Sequence, residues 1–220
     1  MDVKIAGTVA QTAGFNLKRG DTLWASKGSL ISHTSELEWN VRVPGGLSAG
    51  IKRSLSGESI SLMHIEATSD DQTLILGANS PGHIMEWDLA TEGPVLTTRG
   101  AFLAAWGTSI NITVSVSRKA GAALFGGAGL VLQRIEGNGT ILIHGRGDFH
   151  RVVLAQEEEL LVSTGYLAAF AHTVDYDIQR VGSLRKSLFG KEGLFMTRLK
   201  GPGTILLQTL KPGISAQHQQ

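Results

Sequence analysis

Apolar and polar residues alternate over short stretches of this chain, and turn residues separate the stretches. Ile110–Val116 and Thr173–Ile178 both alternate with a period of two. That period places every second side chain on one face of a half-buried strand. No long stretch has the 3.6-residue period of an amphipathic helix, and the best helical candidates are two short segments, 120–125 and 183–188. The pattern predicts an all-β fold with a helix content below about 15%.

The same strand pattern occurs three times along the chain. Stretches that begin at Leu17, Leu89 and Leu154 align without a gap, at spacings of 72 and 65 residues. Each copy carries an apolar residue, a turn glycine and a second apolar residue at matching positions. These positions are Leu23, Val95 and Leu160, then Gly28, Gly100 and Gly165, then Leu30, Phe102 and Leu167. Further blocks begin at Gly137 and Gly201, where Asn138-Gly139 and Pro202-Gly203 predict turns, and a weaker copy begins at Asp70.

The repeats predict a single β-domain over residues 1–216, with units at about 15–80, 87–147 and 152–210, and a polar tail at 217–220. Units of this size do not bury both faces of a small sheet alone, so we expect them to share one core. The predicted architecture is a closed or stacked, mainly β structure with pseudo-three-fold symmetry. The predicted core residues are Leu17, Leu23, Leu30, Leu89, Val95, Phe102, Ile141, Leu154, Leu160, Leu167, Phe195 and Leu206.

Two segments are apolar at every position, Ala101–Trp106 and Tyr166–Phe170. Strands of this kind are buried on both faces. In a β-domain of this size we expect another subunit to cover the second face, which predicts a homo-oligomer, either a trimer or a dimer.

Composition and charge exclude several classes of function. The chain has no cysteine, which removes disulfides, thiolate catalysis and cysteine-ligated zinc and fits a reducing cytoplasm. Twenty basic and 19 acidic residues give a net charge of +1, so we expect no non-specific or specific binding of nucleic acid. The longest apolar run, Ala120–Leu132, is shorter than the roughly 20 residues of a membrane-spanning helix. We therefore expect a cytoplasmic protein with no transmembrane segment.

No motif in the sequence predicts catalysis, a cofactor or a metal. Gly126–Gly129 lacks the Gly-Lys-Ser or Gly-Lys-Thr ending of a phosphate-binding loop. His144–His150 is the only local histidine cluster, and its glycines indicate a solvated turn rather than a metal-binding strand. Glu157–Glu159 lies where the first repeat has a turn, which indicates a solvated tip. We therefore predict that the protein is not an enzyme.

Three basic pairs are the one candidate binding feature. Each pair precedes the glycine-rich element of its own repeat, so a three-fold arrangement would gather the pairs at one end of the domain. Such a cluster would bind an acidic protein surface or an anionic lipid headgroup. The alternative is that they are ordinary charged loop residues. The six residues are Lys52, Arg53, Arg118, Lys119, Arg185 and Lys186.

Two C-terminal segments, Ser187–Leu194 and Leu199–Thr209, resemble the signature of the "altered inheritance of mitochondria" family, number twenty-four of that series. Gly100–Ala105 and Gly165–Phe170 fit the same pattern, and the resemblance extends from about Gly7 to Thr209. The resemblance implies an oligomer and a fold like that of the tryptophan-responsive RNA-binding attenuation protein, of the double-stranded β-helix or β-sandwich type. Fungal mitochondrial members of the family are associated with inner-membrane organisation. The family supplies no catalytic residues to carry over.

Together these observations favour a non-enzymatic scaffold or interaction protein that acts as a homo-oligomer in the cytoplasm. The alternative is a small-ligand-binding β-domain, since β-barrels and sandwiches often hold a ligand at one mouth. An RNA-binding regulator follows only from the fold analogy. It would need a dense array of Lys and Arg, which this sequence lacks.

Overall fold

The computed structural model describes residues 1–43, 61–117, 130–180 and 195–212. Within these ranges the chain forms seventeen β-strands and one turn of 3-10 helix, Thr164–Tyr166. The all-β prediction is confirmed. The two segments considered for helix and the polar tail lie outside the described residues. Over the described part of the chain, the structure contains no helix long and apolar enough to cross a membrane.

The first repeat follows a short N-terminal strand, β1 (Asp2–Ala6), and contributes six strands. They are β2 (Thr12–Leu17), β3 (Thr22–Ser26), β4 (Leu30–His33), β5 (Leu37–Arg42), β6 (Leu62–Ala67) and β7 (Gln72–Gly77). Strand β7 pairs with β2 and β4, whereas β6 pairs with β3 and β5, all antiparallel. The turn between β2 and β3 therefore carries the chain from one sheet to another.

The second and third repeats have the same pairing pattern. The second consists of β8 (Gly82–Asp88), β9 (Val95–Thr98), β10 (Phe102–Ser117) and β11 (Leu130–Arg146). Its long β10 and β11 each replace two strands of the other repeats, and β11 pairs with all three partners. The third consists of β12 (Phe149–Leu154), β13 (Glu159–Ser163), β14 (Leu167–Ala171), β15 (Asp175–Arg180), β16 (Phe195–Lys200) and β17 (Gly203–Gln208). There β17 pairs with β12 and β14, and β16 with β13 and β15.

Strand register is also the same in the three repeats. Thr12 faces Gly77, Ile84 faces His144, and Phe149 faces Gln208. The first residues of these pairs are separated by the 72 and 65 residues of the sequence alignment. Isolated bridges join Ala10 to Gly82 and Gly82 to Gly147, again at those spacings. The repeats therefore meet at equivalent positions, while a three-fold axis relating the whole units stays a prediction.

Neighbouring repeats are joined by further strand pairing. Strand β10 pairs with β3 across the first junction, and β14 pairs with β9 across the second. Both Ala104 and Ala169, in the centres of these junctions, are fully buried. The predicted burial of Ala101–Trp106 and Tyr166–Phe170 is therefore correct for all residues but Trp106 and Tyr166, but its predicted cause is wrong. Adjacent repeats of the same chain, rather than another subunit, cover these strands.

Most of the predicted core residues are buried. Two of the twelve, Leu30 and Leu160, are only partly buried against the core, and the side chain of Phe195 lies outside the described set. The described buried residues form two clusters instead of the single core expected. One cluster is built mainly from the first repeat and the other from the second and third. The fully buried predictions are Leu17, Leu23, Leu89, Val95, Phe102, Ile141, Leu154, Leu167 and Leu206.

The turn predicted at Asn138-Gly139 is wrong. These residues lie inside β11, opposite a register shift in β10 between Gly107 and Ser109. A Cβ atom on Gly139 would lie 2.1 Å from the backbone oxygen of Trp106. The glycine therefore permits a close approach of two long strands, and this long-range pairing overrides the local turn preference.

Candidate functional site

A cavity of about 510 Å³ lies at the junction of the first and second repeats. The first repeat contributes the turn between β3 and β4 and the segment that follows β7. The second contributes the turn between β9 and β10 and the end of β11. The polar and charged residues of the lining include Lys27, Ser29, Arg99, Gln133, His144 and Arg146.

The cavity has an unbalanced positive charge. Lys27, Arg99 and Arg146 line it, and the described residues of its lining include no Asp or Glu. None of these three cations takes part in an ion pair with another described residue. Because charges interact more strongly in a partly buried cavity than in bulk water, the three cations favour an anionic occupant.

Arg146 is positioned by the third repeat. Its backbone N–H donates to Oε1 of Gln208 at 3.1 Å, and its carbonyl accepts a hydrogen bond from the N–H of Leu210 at 3.1 Å. Its guanidinium extends toward the β9–β10 turn, where Nη2 would lie 3.9 Å from a Cβ on Gly100. The second and third repeats thus aim this cation at a cavity whose opposite wall belongs to the first repeat.

His144 is one of the buried polar residues that line the cavity. Only 2% of its surface is exposed, and its backbone N–H donates to the carbonyl of Ala101 at 2.7 Å. Neither Nδ1 nor Nε2 has a hydrogen-bond partner among the residues that the structure describes. The Ser80 carbonyl lies near the ring, but not in hydrogen-bond geometry. A buried polar group without a partner costs about 1–3 kcal/mol, so native proteins rarely keep one without a reason.

Its surroundings favour the neutral form of His144. Burial is the main factor that lowers the pKa of His144, and the positive charge of Arg146 lowers this pKa further. The nearby Ser80 carbonyl raises the pKa but does not reverse the shift. A neutral imidazole has one N–H donor and one acceptor nitrogen. The wall of the cavity therefore contains one buried donor and one buried acceptor, both without a partner among the described residues, beside three cations without a described ion pair.

Two serine hydroxyls of the cavity lining, those of Ser26 and Ser29, donate hydrogen bonds to the backbone. Ser29 Oγ donates to the carbonyl of Ser26 at 2.7 Å, and Ser26 Oγ donates to the carbonyl of Phe102. The Ser29 carbonyl in turn accepts the N–H of Gly77 at 2.8 Å. Gly28, with a φ of +84°, forms the tip of this turn in the left-handed region. These bonds fix the turn that carries Lys27.

The six basic residues proposed from the sequence, 52–53, 118–119 and 185–186, all lie outside the described residues. Their convergence therefore stays a prediction. The acidic run Glu157–Glu159 is exposed, as expected for a solvated tip. Glu157 pairs with Lys200 at 2.5 Å, and Glu159 pairs with Arg198 at 2.7 Å.

The solvated turn predicted for His144–His150 is wrong for most of this segment, because only Gly147 and Asp148 lie between the strands β11 and β12. Strand β11 continues to Arg146 and buries His144, because β8 pairs along its whole C-terminal half. Asp148 instead contacts Nδ1 of His83 at 3.0 Å, and His150 is exposed. In the described ranges no three His, Asp or Glu side chains gather as a metal-binding group. A signal for the buried site was present, since His144 directly follows the apolar run Ile141–Ile143.

Known proteins resemble this chain along almost its whole length. The mitochondrial biogenesis AIM24 family matches residues 3–210. An uncharacterized protein of Streptococcus pyogenes serotype M6 is 31% identical over 205 residues, which cover 89% of this chain and 79% of that protein. The crystal structure of a Streptococcus pyogenes protein aligns with a TM-score of 0.76 at 25% identity, over 96% of this chain and 94% of that one. The family resemblance inferred from the C-terminal motifs is confirmed: this chain belongs to the mitochondrial biogenesis AIM24 family.

Proposed function

We propose that this protein is a non-enzymatic cytoplasmic binding domain that holds a small anionic ligand in the cavity between its first and second repeats. One observation carries the proposal. A buried imidazole with no hydrogen-bond partner among the described residues lies in the wall of the same cavity as three cations that have no described ion pair. A phosphate- or carboxylate-bearing ligand would supply the missing negative charge.

The cavity has the size and chemistry for such a ligand. Small-molecule sites usually enclose about 300–1,000 Å³, and this cavity measures about 510 Å³. The planar guanidinium groups of Arg99 and Arg146 match phosphate and carboxylate oxygens, which they bind in pairs. The hydroxyls of Ser26 and Ser29 already donate to carbonyls, which supports a binding role over a catalytic one.

Titration calorimetry tests this proposal with inorganic phosphate, glycerol 3-phosphate and citrate as probes at low salt. Arg146→Gln removes one cavity cation, and we expect it to weaken binding of the tightest probe at least tenfold, or about 1.4 kcal/mol. The matched control is Arg19→Gln, which removes the same charge from an exposed residue outside the cavity lining and should leave affinity unchanged.

A second arm distinguishes a free ligand from a lipid headgroup. Vesicles that contain anionic phospholipid are sedimented with the wild-type protein and with Arg146→Gln. Cosedimentation that depends on Arg146, without binding of the soluble probes, would assign the cavity to a headgroup. Equal binding of every probe and vesicle by the wild type and Arg146→Gln, or no binding at all, overturns the proposal. Native mass spectrometry of the purified protein would then identify a co-purified anion directly.

A further inference from the structure

One strand of the third repeat has an edge that pairs with no described strand. The corresponding strands of the other two repeats are paired on both edges. Strand β13 lies at the edge of a three-stranded sheet with β16 and β15. Its counterparts at the repeat spacings are β3 and β9, and each is covered by a strand of the following repeat. Among the described strands, β13 pairs with β16 alone.

The open edge exposes an apolar side chain. Leu161 is 55% exposed, whereas Leu96, at the same position of the second repeat, is 8% exposed beneath β14. A groove of about 490 Å³ runs along β13 and is lined by Leu160, Leu161, Val162 and Tyr166, among others. Unpaired strand edges with exposed apolar residues are templates for pairing with another chain.

The first repeat of a second copy does not suit this edge. At the repeat spacings, β4 of the first repeat corresponds to β14 and to the start of β10. Those two strands pair with the edges of β9 and β3. Ala104 and Ala169 lie in those strands and are fully buried, whereas the corresponding residue of β4 is the exposed Ser32. Exposed polar residues are typical of an edge strand that stays solvated.

Strand β13 suits a second copy of itself. In an antiparallel pair centred on Leu161, this residue faces its own counterpart and Leu160 faces Val162. Glu159 faces Ser163, so no like charges lie opposite each other. The charge of Glu159 is also compensated by Arg198 within the same sheet, at 2.7 Å. The pairing would extend two three-stranded sheets into one of six strands.

We infer that two copies of this chain form a two-fold symmetric dimer through antiparallel pairing of β13 with β13. The same surface is used by both copies, so the contact closes and does not propagate into a fibre. The inference does not depend on the anion cavity, which lies at the junction of the first and second repeats. Of the two oligomers expected from the sequence, it selects the dimer.

Light scattering coupled to size exclusion tests the dimer at micromolar concentration. The wild type should have twice the 23.4 kDa chain mass. Leu161→Lys places two ammonium groups face to face across the pair and should give the monomer mass, with an unchanged circular dichroism spectrum. The matched control is Val9→Lys, another exposed apolar residue, which should remain dimeric. A wild type of monomer mass, or a Leu161→Lys variant that remains dimeric, overturns the inference.

Cysteine cross-linking tests the register, because the chain has no cysteine of its own. Residues directly opposite in an antiparallel pair have Cβ atoms about 4.5–5.5 Å apart, close to what a disulfide requires. Leu161→Cys alone should therefore yield a covalent dimer on oxidation, whereas Val9→Cys should not. Cross-linking that requires Leu161→Cys together with His33→Cys would instead show pairing of β13 with β4, and would overturn the two-fold arrangement.

Discussion

His144 and Gln208 occupy the same position in two repeats but have opposite hydrogen bonding. Each lies opposite the first strand of its repeat, facing Ile84 and Phe149 respectively. Gln208 donates through Nε2 to the carbonyl of Gly165 at 2.9 Å and accepts the N–H of Arg146 at 3.1 Å. His144 makes no side-chain hydrogen bond. One buried amide is satisfied, and one buried imidazole is not.

The difference separates a structural junction from a candidate binding junction. Gln208 ties the turn before β14 to the end of β11, so its hydrogen bonds join the second and third repeats. At the equivalent place between the first and second repeats, a cavity lies beside the imidazole. The first repeat has Gly77 at this position, where a Cβ would lie 2.7 Å from the Ile31 side chain. Local departures from good packing and pairing are expected at functional sites.

The largest effect should follow from removing the side chain of Gln208, which makes two hydrogen bonds. Gln208→Leu leaves the Arg146 N–H and the Gly165 carbonyl without their partner. We expect it to lower the free energy of unfolding by about 3 kcal/mol, measured by urea denaturation. The matched change His144→Leu breaks no hydrogen bond and should alter stability by less than about 1 kcal/mol. Equal losses in the two variants would contradict the comparison.

The second-largest effect should be the contribution of His144 to the pH dependence of the free energy of unfolding. The folded state lowers the pKa of His144 below its ordinary value of 6.5, mainly through burial. Below pH 6.5 the unfolded chain therefore binds a proton more readily, and the free energy of unfolding falls as the pH decreases. The slope contributed by one such group is at most about 1.4 kcal/mol per pH unit.

The contribution of His144 is measured as a difference between variants. Urea denaturation from pH 7.5 to 5.0 should show a steeper loss of stability for the wild type than for His144→Gln. His64 also has a lowered pKa, because of burial and Arg42, and it contributes equally to both proteins. Identical slopes would mean that His144 does not titrate differently in the folded and unfolded states. A bound anion should raise the pKa of His144 and reduce the difference.

The smallest effect concerns a second buried group without a partner. Thr97 lies in β9 at the junction of the second and third repeats, and its buried Oγ1 makes no hydrogen bond. The third repeat has Val162 at the corresponding position. Thr97→Val should therefore stabilise the protein by about 1 kcal/mol, measured by thermal denaturation. A loss of stability would indicate that the hydroxyl has a partner in solution.

The sequence by itself determined the strands, the repeat spacing and most of the core. These features depend on local patterns, since alternation of apolar residues selects a strand and its buried face. The register of the three repeats also follows from the alignment, because the spacings that match Leu17, Leu89 and Leu154 match the paired strand residues as well. The C-terminal motifs were sufficient to identify the family.

Only the tertiary structure decided how the repeats meet. The sequence marks Ala104 and Ala169 as buried, but which chain covers them depends on pairing between β10 and β3 and between β14 and β9. The same long-range pairing keeps Asn138-Gly139 inside a strand and buries His144, against their local turn preferences. Contacts between residues distant in sequence set these outcomes. Contacts of this kind produce no periodic pattern in the sequence. The cavity and the open edge of β13 were therefore visible only in the folded molecule.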